Sequence, residues 1–105
     1  MKDEILRIGD YDLIDKNIHE PGRLVIMIYL NMLASADFNF LLYKTGMSKG
    51  NLSSHLTKLE QAGYIEVQKE FINKTPHTVL LITEEGKKAV VLYKKQLMDM
   101  LILID

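Results

Sequence analysis

The segment from Gly46 to Ile65 constrains the fold more than any other part of the chain. Leu52, Leu56 and Leu59 stand at positions i, i+4 and i+7, which predicts a helix with a single apolar stripe. The Glu and Lys pairs typical of a solvent-facing helix are replaced on the other side by small hydroxyl and amide groups. The residues on that side and in the first turn are Lys49, Gly50, Asn51, Ser53, Ser54, Thr57, Lys58 and Gln61. Such groups suit close approach to another polar surface, including base edges in a DNA major groove, although a helix that is merely rich in serine shows the same pattern.

Residues 37–45 predict a shorter helix immediately before this one, with Asp37 as its N-cap. The inward face of the shorter helix is predicted to consist of Phe38, Leu41 and Leu42. Gly46 then stands where a residue with a positive φ ends a helix, and Ser48 is the expected N-cap of the longer helix. Two helices joined by a tight turn that contains glycine form a helix-turn-helix, whose second helix can enter the major groove.

Two strands are predicted after the longer helix. Apolar and polar residues alternate at the start of residues 64–71, and residues 78–82 form a second strand-like run. Residues 73–77 between them are rich in turn formers. A helix-turn-helix followed directly by a β-hairpin is a winged helix, so the predicted fold is mainly α with a small hairpin, of the α+β class.

Beyond these patterns, the chain resembles the small winged-helix transcriptional regulators of the MarR and ArsR groups. The resemblance rests on residues 50–56, residues 59–65 and the later string from Thr83 to Gly86. It extends over roughly residues 13 to 100. Proteins of these groups bind DNA, so the resemblance implies a DNA-binding regulator that acts as a homodimer.

The resemblance also implies that residues 49–58 are the recognition helix and residues 72–78 the tip of the wing. The candidate DNA-binding residues are Ser48, Lys49, Asn51, Ser53, Ser54, Thr57 and Lys58 in the helix, and Lys69, Lys74 and Thr78 in the wing. Asn51 suits adenine, the lysines suit guanine or phosphate, and the start of the helix suits a phosphate. Relatives usually carry two or more basic residues in the wing, whereas here Lys74 is the only fixed cation of residues 74–78.

The balance of charge limits the electrostatic part of any DNA binding. The chain of 105 residues has a formal net charge of −1, with 26% charged and 48% hydrophobic residues, which is ordinary for one small globular domain. Residues 1–20 hold six acids and three bases, whereas residues 44–78 hold five lysines and three glutamates. We therefore expect modest non-specific affinity for DNA that falls quickly with salt.

Other classes of protein fit the sequence poorly. The absence of cysteine excludes disulfides, a thiolate nucleophile and cysteine-containing metal sites. The start of the chain lacks a secretion signal and the longest apolar run, residues 100–104, is too short to span a membrane, so we expect a soluble cytoplasmic protein. Without a phosphate loop, a hydrolase motif or clustered histidines, we predict no enzyme, no metal site and no cofactor. His55 is expected to be a half-buried packing residue.

A single domain is expected over residues 1–105, with the helix-turn-helix and wing within residues 21–82. The first helix of this part begins at Pro21 and is apolar on nearly all sides over residues 24–33, so a second subunit is needed to cover it. Arg23, near the start of that helix, is expected to be solvated.

The two ends of the chain predict the interface of a homodimer. Residues 1–18 suggest an apolar helical arm that is interrupted near Gly9 and Asp10, and residues 84–105 suggest a C-terminal helix with Thr83 as its N-cap. The end of that helix is apolar around most of its circumference, which promotes aggregation unless a partner covers it. A two-fold dimer presents two recognition helices, roughly 34 Å apart, to a pseudo-palindromic site on double-stranded DNA.

Two alternatives stay open at this point. A small-molecule effector can bind near Tyr29, Tyr43 or Tyr93, although aromatic residues at helical spacing more often belong to a core, and no ligand is identified. The other alternative is a winged-helix domain that binds a partner protein without specific DNA binding. The low net charge and the sparse wing favour it, whereas the polar first turn of the recognition helix favours DNA.

Overall fold

The described residues form four α-helices and a three-stranded antiparallel sheet. The computed structural model describes residues 8–105, with side chains from residue 11 onwards. In chain order the elements are a 3-10 helix Ile8–Leu13, α1 Pro21–Leu33, β1 Ser35–Asp37, α2 Phe38–Thr45, α3 Lys49–Gln61, β2 Ile65–Ile72, β3 Thr75–Ile82 and α4 Glu84–Leu101. This arrangement is a winged helix of the α+β class, which confirms the predicted fold.

The helix-turn-helix of α2 and α3 has the predicted caps on both sides of its turn. The Asp37 carboxylate accepts the backbone N–H of Asn39 at 2.9 Å, and Gly46 ends α2 with a left-handed φ of 69°. The Ser48 hydroxyl accepts the N–H of Asn51 at 3.1 Å. These bonds satisfy amide groups that have no partner within their own helices, and they fix where α3 begins.

The apolar stripe of α3 lies in the middle of the core, as predicted. Leu52 and Leu59 are fully buried and Leu56 is 5% exposed. The other large, fully buried side chains come from α1, α2, β3 and the segment before α1, and are Ile26, Met27, Leu30, Leu41, Leu80 and Ile18. Because the leucines occupy the core side of α3, the opposite side of that helix must face outwards.

The short strand β1 was not predicted from the sequence. It consists of Ser35–Asp37 and pairs with β3, which lies between β1 and β2 in the sheet. Ala36 lies opposite Leu80, and both side chains are buried. β1 thereby joins the helix-turn-helix to the wing, because α2 begins directly after it.

The hairpin of β2 and β3 is longer than predicted, and its turn is shorter. Residues 72–78 were expected to form the tip, but β2 continues to Ile72 and β3 already begins at Thr75. Only Asn73 and Lys74 remain in the turn, with φ values of 51° and 66°. Two successive residues with positive φ give a type I′ turn, whose twist matches that of the two strands and allows pairing up to the tip.

Part of the predicted apolar surface remains exposed in the single chain. On α1, Val25, Ile28 and Met32 are 39%, 44% and 66% exposed. On α4 and the residues after it, the exposed apolar side chains are Val91, Leu92, Met98, Met100, Leu101, Ile102 and Ile104. None of the described helices is both long and apolar enough to cross a membrane.

The predicted N-terminal arm falls partly outside the described residues, which exclude residues 1–7. The 3-10 helix Ile8–Leu13 continues through Gly9 and Asp10, so the interruption predicted there is wrong. Ile14 and Ile18 are buried in the core of the same chain. This last part of the arm is therefore an integral part of the domain.

Asp15 fastens that segment to the base of the wing. Its carboxylate accepts the backbone N–H groups of Asn17 at 2.8 Å and Ile18 at 3.1 Å, and the hydroxyl of Tyr64 donates to its second oxygen. Burial and the hydrogen bond to Asp15 raise the pKa of Tyr64 to about 12. The phenol therefore stays protonated and acts as a permanent donor.

α4 begins directly at the base of the hairpin, and its N-cap is Thr83, as predicted. The Thr83 hydroxyl donates to the carbonyl of Gly63 at 2.7 Å and accepts the N–H of Gly86 at 3.0 Å. Gly86 packs against the backbone carbonyl of Tyr64 so closely that a Cβ atom at this position would overlap it. The junction of the wing and α4 thus depends on a glycine.

We expect Gly86→Ala to lower the free energy of unfolding by about 1–3 kcal/mol, because the new methyl group must displace backbone rather than a flexible side chain. Gly50→Ala is the matched control, since a Cβ at this helical position has no atom within 4 Å. Urea unfolding of both variants measures the difference. Equal stability of the two variants would contradict the close packing at Gly86.

Candidate nucleic-acid interface

α3 presents the predicted recognition residues on one exposed surface, which we call the α3 polar face. Its members, all exposed, are Lys49, Gly50, Asn51, Ser53, Ser54, Thr57, Lys58 and Gln61. Most of the face lies opposite the buried leucine stripe and combines two lysines with short polar groups, while the exposed Glu60 adds one negative charge at its edge. Without bulky side chains, the backbone of α3 can approach a ligand closely.

Two hydroxyl groups at this surface already bind the backbone. Ser48 caps α3 by accepting an N–H, and Thr57 donates its hydroxyl proton to the carbonyl of Ser53 at 2.9 Å. Ser48 can therefore still donate its hydroxyl proton to a ligand, and Thr57 can still accept a hydrogen bond from one. Around Ser48, the outward amides of the first turn and the helix dipole favour an anion.

A polar cluster of Glu20, Arg23 and His55 holds α3 against the start of α1. The expectation that Arg23 is solvated is wrong, because its side chain is only 10% exposed. Its Nη1 lies 3.2 Å from Nδ1 of His55 and 3.7 Å from Glu20 Oε2, and its Nε donates to the carbonyl of Asn17. His55 is half-buried, as predicted, and lies 3.3 Å from Glu20. The orientation of α3 therefore depends on charged hydrogen bonds as well as on apolar burial.

Glu20 also caps α1, a role that the sequence did not predict. Its carboxylate accepts the N–H of Gly22 at 2.6 Å. Burial alone would raise the pKa of Glu20. The amides of Gly22 and Arg23 and the charges of His55 and Arg23 outweigh this effect, so the pKa of Glu20 lies below its ordinary value. One signal pointed to this cluster: Arg23 precedes the buried Met27 and Leu30 by four and seven residues, on the inward side of α1.

The wing has two faces with different charge. Paired residues share a face, and successive residues alternate. The inner face continues the core side of the sheet and carries Ile65, Val67, Lys69, Phe71, Pro76, Thr78, Leu80 and Ile82. The outer face carries Glu66, Gln68, Glu70, Ile72, Thr75, His77, Val79 and Leu81. The predicted site residues Lys69 and Thr78 form a cross-strand pair on the inner face, while both glutamates of the hairpin lie on the outer face.

Lys74, the third predicted residue of the wing, lies at its tip. Its φ of 66° is left-handed, and turns of this type usually have glycine at this position. A lysine there costs about 1 kcal/mol of backbone strain. The chain therefore places a cation at the tip against the preference of its own backbone.

His77 ties the outer face of the wing to the helix-turn-helix. Its Nδ1 lies 2.9 Å from Oδ1 of Asp37, whose other oxygen caps α2. Burial alone would raise the pKa of Asp37. Hydrogen bonds from His77 and Asn39 and the charge of His77 outweigh this effect, so the pKa of Asp37 lies below its ordinary value of 3.8. One carboxylate thus fixes α2 and the wing relative to each other.

The three tyrosines considered for an effector site differ in burial and in the residues that they contact. Tyr93 is buried and its hydroxyl lies 2.8 Å from Nδ1 of His19. Tyr29 packs edge-on against Phe40, with ring centroids 6.0 Å apart, and Tyr43 is 82% exposed. Among the side chains that the structure describes, from residue 11 onwards, no group of three or more histidine and acidic side chains is arranged to hold a metal ion.

The family model of the winged helix DNA-binding domain matches residues 23–101 of the chain. An uncharacterized protein of Methanocaldococcus jannaschii is 37% identical over 67 residues, which cover 64% of this chain and 73% of that protein. The matched residues of the family model include α1 from Arg23 onwards, the helix-turn-helix, the wing and α4 to its end.

Solved structures contain the same arrangement. A transcriptional regulator homologue protein from Pyrococcus horikoshii OT3 is 28% identical with a TM-score of 0.80, over 99% of this chain and 96% of that one. NadR, solved in complex with 4-hydroxyphenylacetate, is 22% identical with a TM-score of 0.65, over 97% of this chain and 70% of its own. At that lower identity the likeness to NadR concerns the fold alone.

The ion pair of Asp37 and His77 predicts a specific loss of stability in acid. Because the pKa of Asp37 is lowered in the folded state, its contribution is present above 3.8 and is lost as the pH falls through the lower, folded value. Asp37→Asn keeps a good N-cap but removes the charge. We expect urea unfolding from about pH 6 down to about pH 3 to show a smaller loss of stability in Asp37→Asn than in the wild type. Parallel losses in the two proteins would show that Asp37 contributes no charge-dependent stability.

Proposed function

Because the chain belongs to the winged helix DNA-binding domain family of transcriptional regulators, we propose that it binds specific sites on double-stranded DNA as a MarR- or ArsR-like homodimer. The α3 polar face is the observation that carries this proposal. It is exposed, lacks bulky side chains and has its orientation fixed from behind by Arg23 and His55. A surface of this kind fits the floor of a major groove.

Each candidate residue has a distinct role in this proposal. Asn51 bonds to an adenine edge, and Lys49 and Lys58 bind guanine or the flanking phosphates. Ser48 and the amides at the start of α3 hold a phosphate. Ser53, Ser54 and Thr57 supply short donors and acceptors to the base edges, while Lys69, Lys74 and Thr78 belong to the contact made by the wing.

Selection of binding sites from random duplex DNA, followed by gel shifts of the enriched sequences, tests the proposal. We expect a pseudo-palindromic motif with half-sites roughly one helical turn apart. A domain that only binds proteins would enrich no motif at any salt concentration. That outcome would replace specific DNA binding with the protein-interaction function, which the net charge of −1 favours.

Removal of both lysines of the α3 polar face tests its electrostatic role. We expect the double variant Lys49→Ala, Lys58→Ala to lower DNA affinity and to weaken its dependence on salt. Each lost phosphate contact changes the slope of log K against log salt by about 0.9, so the slope should change by up to about 1.8 for each protomer. Lys16→Ala with Lys44→Ala, at exposed positions outside α3, the wing and α4, is the control with the same change in charge. Fluorescence anisotropy at several salt concentrations measures both slopes. Identical slopes would remove α3 from the interface.

The homodimer of this proposal is supported by apolar surface that a single chain leaves exposed. Val91, Leu92 and Met98 on α4 are 67%, 55% and 57% exposed, and Ile102 after its end is 78% exposed. Apolar side chains that are exposed at several neighbouring positions of one helix usually mark an interaction site. The two chains would bury this surface against each other around a two-fold axis.

We expect sedimentation at micromolar concentration to give twice the 12.1 kDa mass of one chain. Leu92→Glu, with Met98→Glu as a second variant, should shift the protein to monomer, because a charge would be buried in the interface. Tyr43→Glu is the control, since it places the same charge on an exposed aromatic residue of α2. Monomeric wild-type protein would contradict the dimer but not the DNA-binding face.

We include regulation by a small molecule in this proposal without naming that molecule. NadR was solved with 4-hydroxyphenylacetate, and this likeness supports regulation of the chain by a small molecule.

A further inference from the structure

The tip of the wing exposes an aromatic ring on the same face as its positive charge. Phe71 is 77% exposed and lies opposite Pro76, which is also exposed. Lys69 lies two residues earlier on the same inner face, and Lys74 lies in the adjoining turn. The inner face of the tip thus combines a flat apolar pair with nearby cations.

Phe71 has no role in the core of its own chain. Leu80 is the outermost fully buried residue of the inner face, and five residue pairs extend beyond it to the tip. At about 3.4 Å per residue, the wing projects about 17 Å past that point. A large aromatic side chain at the end of such a projection is in a position to contact a partner, and it contributes little to internal packing.

The distribution of charge favours DNA as that partner. Within the hairpin, which is described throughout, the inner face holds Lys69 and no acidic residue, whereas Glu66 and Glu70 both lie on the outer face. Only the inner face can therefore approach a polyanion without repulsion. The base of the wing lies at the C-terminal end of the proposed recognition helix, because only residues 62–64 separate α3 from β2, and the wing projects from that point.

We propose that Phe71, supported by Pro76, enters the DNA minor groove beside the half-site bound by α3. The proposal rests on the DNA-binding function proposed above. Apolar side chains such as Phe and Pro make contacts of this kind with groove walls and base steps. Lys74 binds a phosphate at the edge of the groove, which accounts for a lysine in a position that favours glycine.

This contact makes Phe71 a determinant of specificity as well as of affinity. Guanine places an amino group on the floor of the minor groove, where A·T pairs present only acceptors and leave more room. An aromatic ring in the groove therefore favours A·T pairs next to the half-site. The contact releases no counterion, so its contribution does not depend on salt.

Phe71→Ser and Ile72→Ser form a matched pair that tests the inference. Both remove an exposed apolar side chain from the same strand, but Ile72 lies on the outer face and is 49% exposed. Binding of the full chain to the selected duplex is measured by fluorescence anisotropy, with A·T or G·C pairs in the flanks and at several salt concentrations. Thermal melts followed by circular dichroism check that both variants fold.

We expect Phe71→Ser to lower affinity for the A·T-flanked duplex about tenfold without changing the salt slope, as the loss of one buried aromatic contact implies. It should also abolish the preference for A·T flanks. Ile72→Ser should leave both unchanged, and Lys74→Gly should flatten the salt slope by about 0.9 for each protomer.

Equal affinities and equal flank preferences of Phe71→Ser and Ile72→Ser would overturn the inference while DNA binding by α3 stands. Loss of self-association in Phe71→Ser, with unchanged DNA binding, would assign the tip to a contact between proteins and would overturn it too. Wild-type protein that binds no selected duplex would overturn both the proposed function and the role of Phe71.

Discussion

Burial of the leucine stripe of α3 against α1 is the constraint on which the remaining structure depends. It decides which side of α3 faces outwards, and therefore which residues a ligand can meet. Apolar contacts alone tolerate rotation of a helix about its axis. The cluster of Glu20, Arg23 and His55 removes that freedom, because its hydrogen bonds have fixed directions and an ionised group left without its partner in this half-buried site would be costly.

A chain with a net charge of −1 can bind a polyanion only if its charges are segregated. The fold achieves this at two scales. Residues 44–78 carry the lysine excess, and within the wing the alternation of strand residues separates Lys69 from Glu66 and Glu70. Because cations are few, shape and apolar contact must provide a larger share of the affinity than in a strongly basic domain.

Local patterns predicted most of the fold, and distant pairings account for what they missed. Asp37, Ser48 and Thr83 were identified as caps because capping depends on residues only two or three positions away. β1 was missed because three residues carry no usable pattern and its strand state depends on pairing with β3, more than forty residues later. The extent of the hairpin was wrong because Asn73 and Lys74 lack the glycine that usually marks a two-residue turn.

The candidate site shows the same division. The outward face of α3 followed from helical periodicity and needed no structure. The burial of Arg23 did not follow, because its partner His55 lies 32 residues further along the chain. The grouping of Lys69 with Phe71 and Thr78 required the register of the hairpin, which a change of one residue in the turn would invert.

The glycine contact at the base of α4 has a consequence for how such proteins diverge. Gly86 rests on the carbonyl of Tyr64, and Thr83 is bonded to Gly63, so α4 cannot pivot without carrying the root of the hairpin with it. In the proposed dimer, the tilt of α4 would then set the distance between the two DNA-binding surfaces. Substitutions along α4, far from any base pair, would retune the preferred gap between half-sites while leaving the sequence of each half-site untouched.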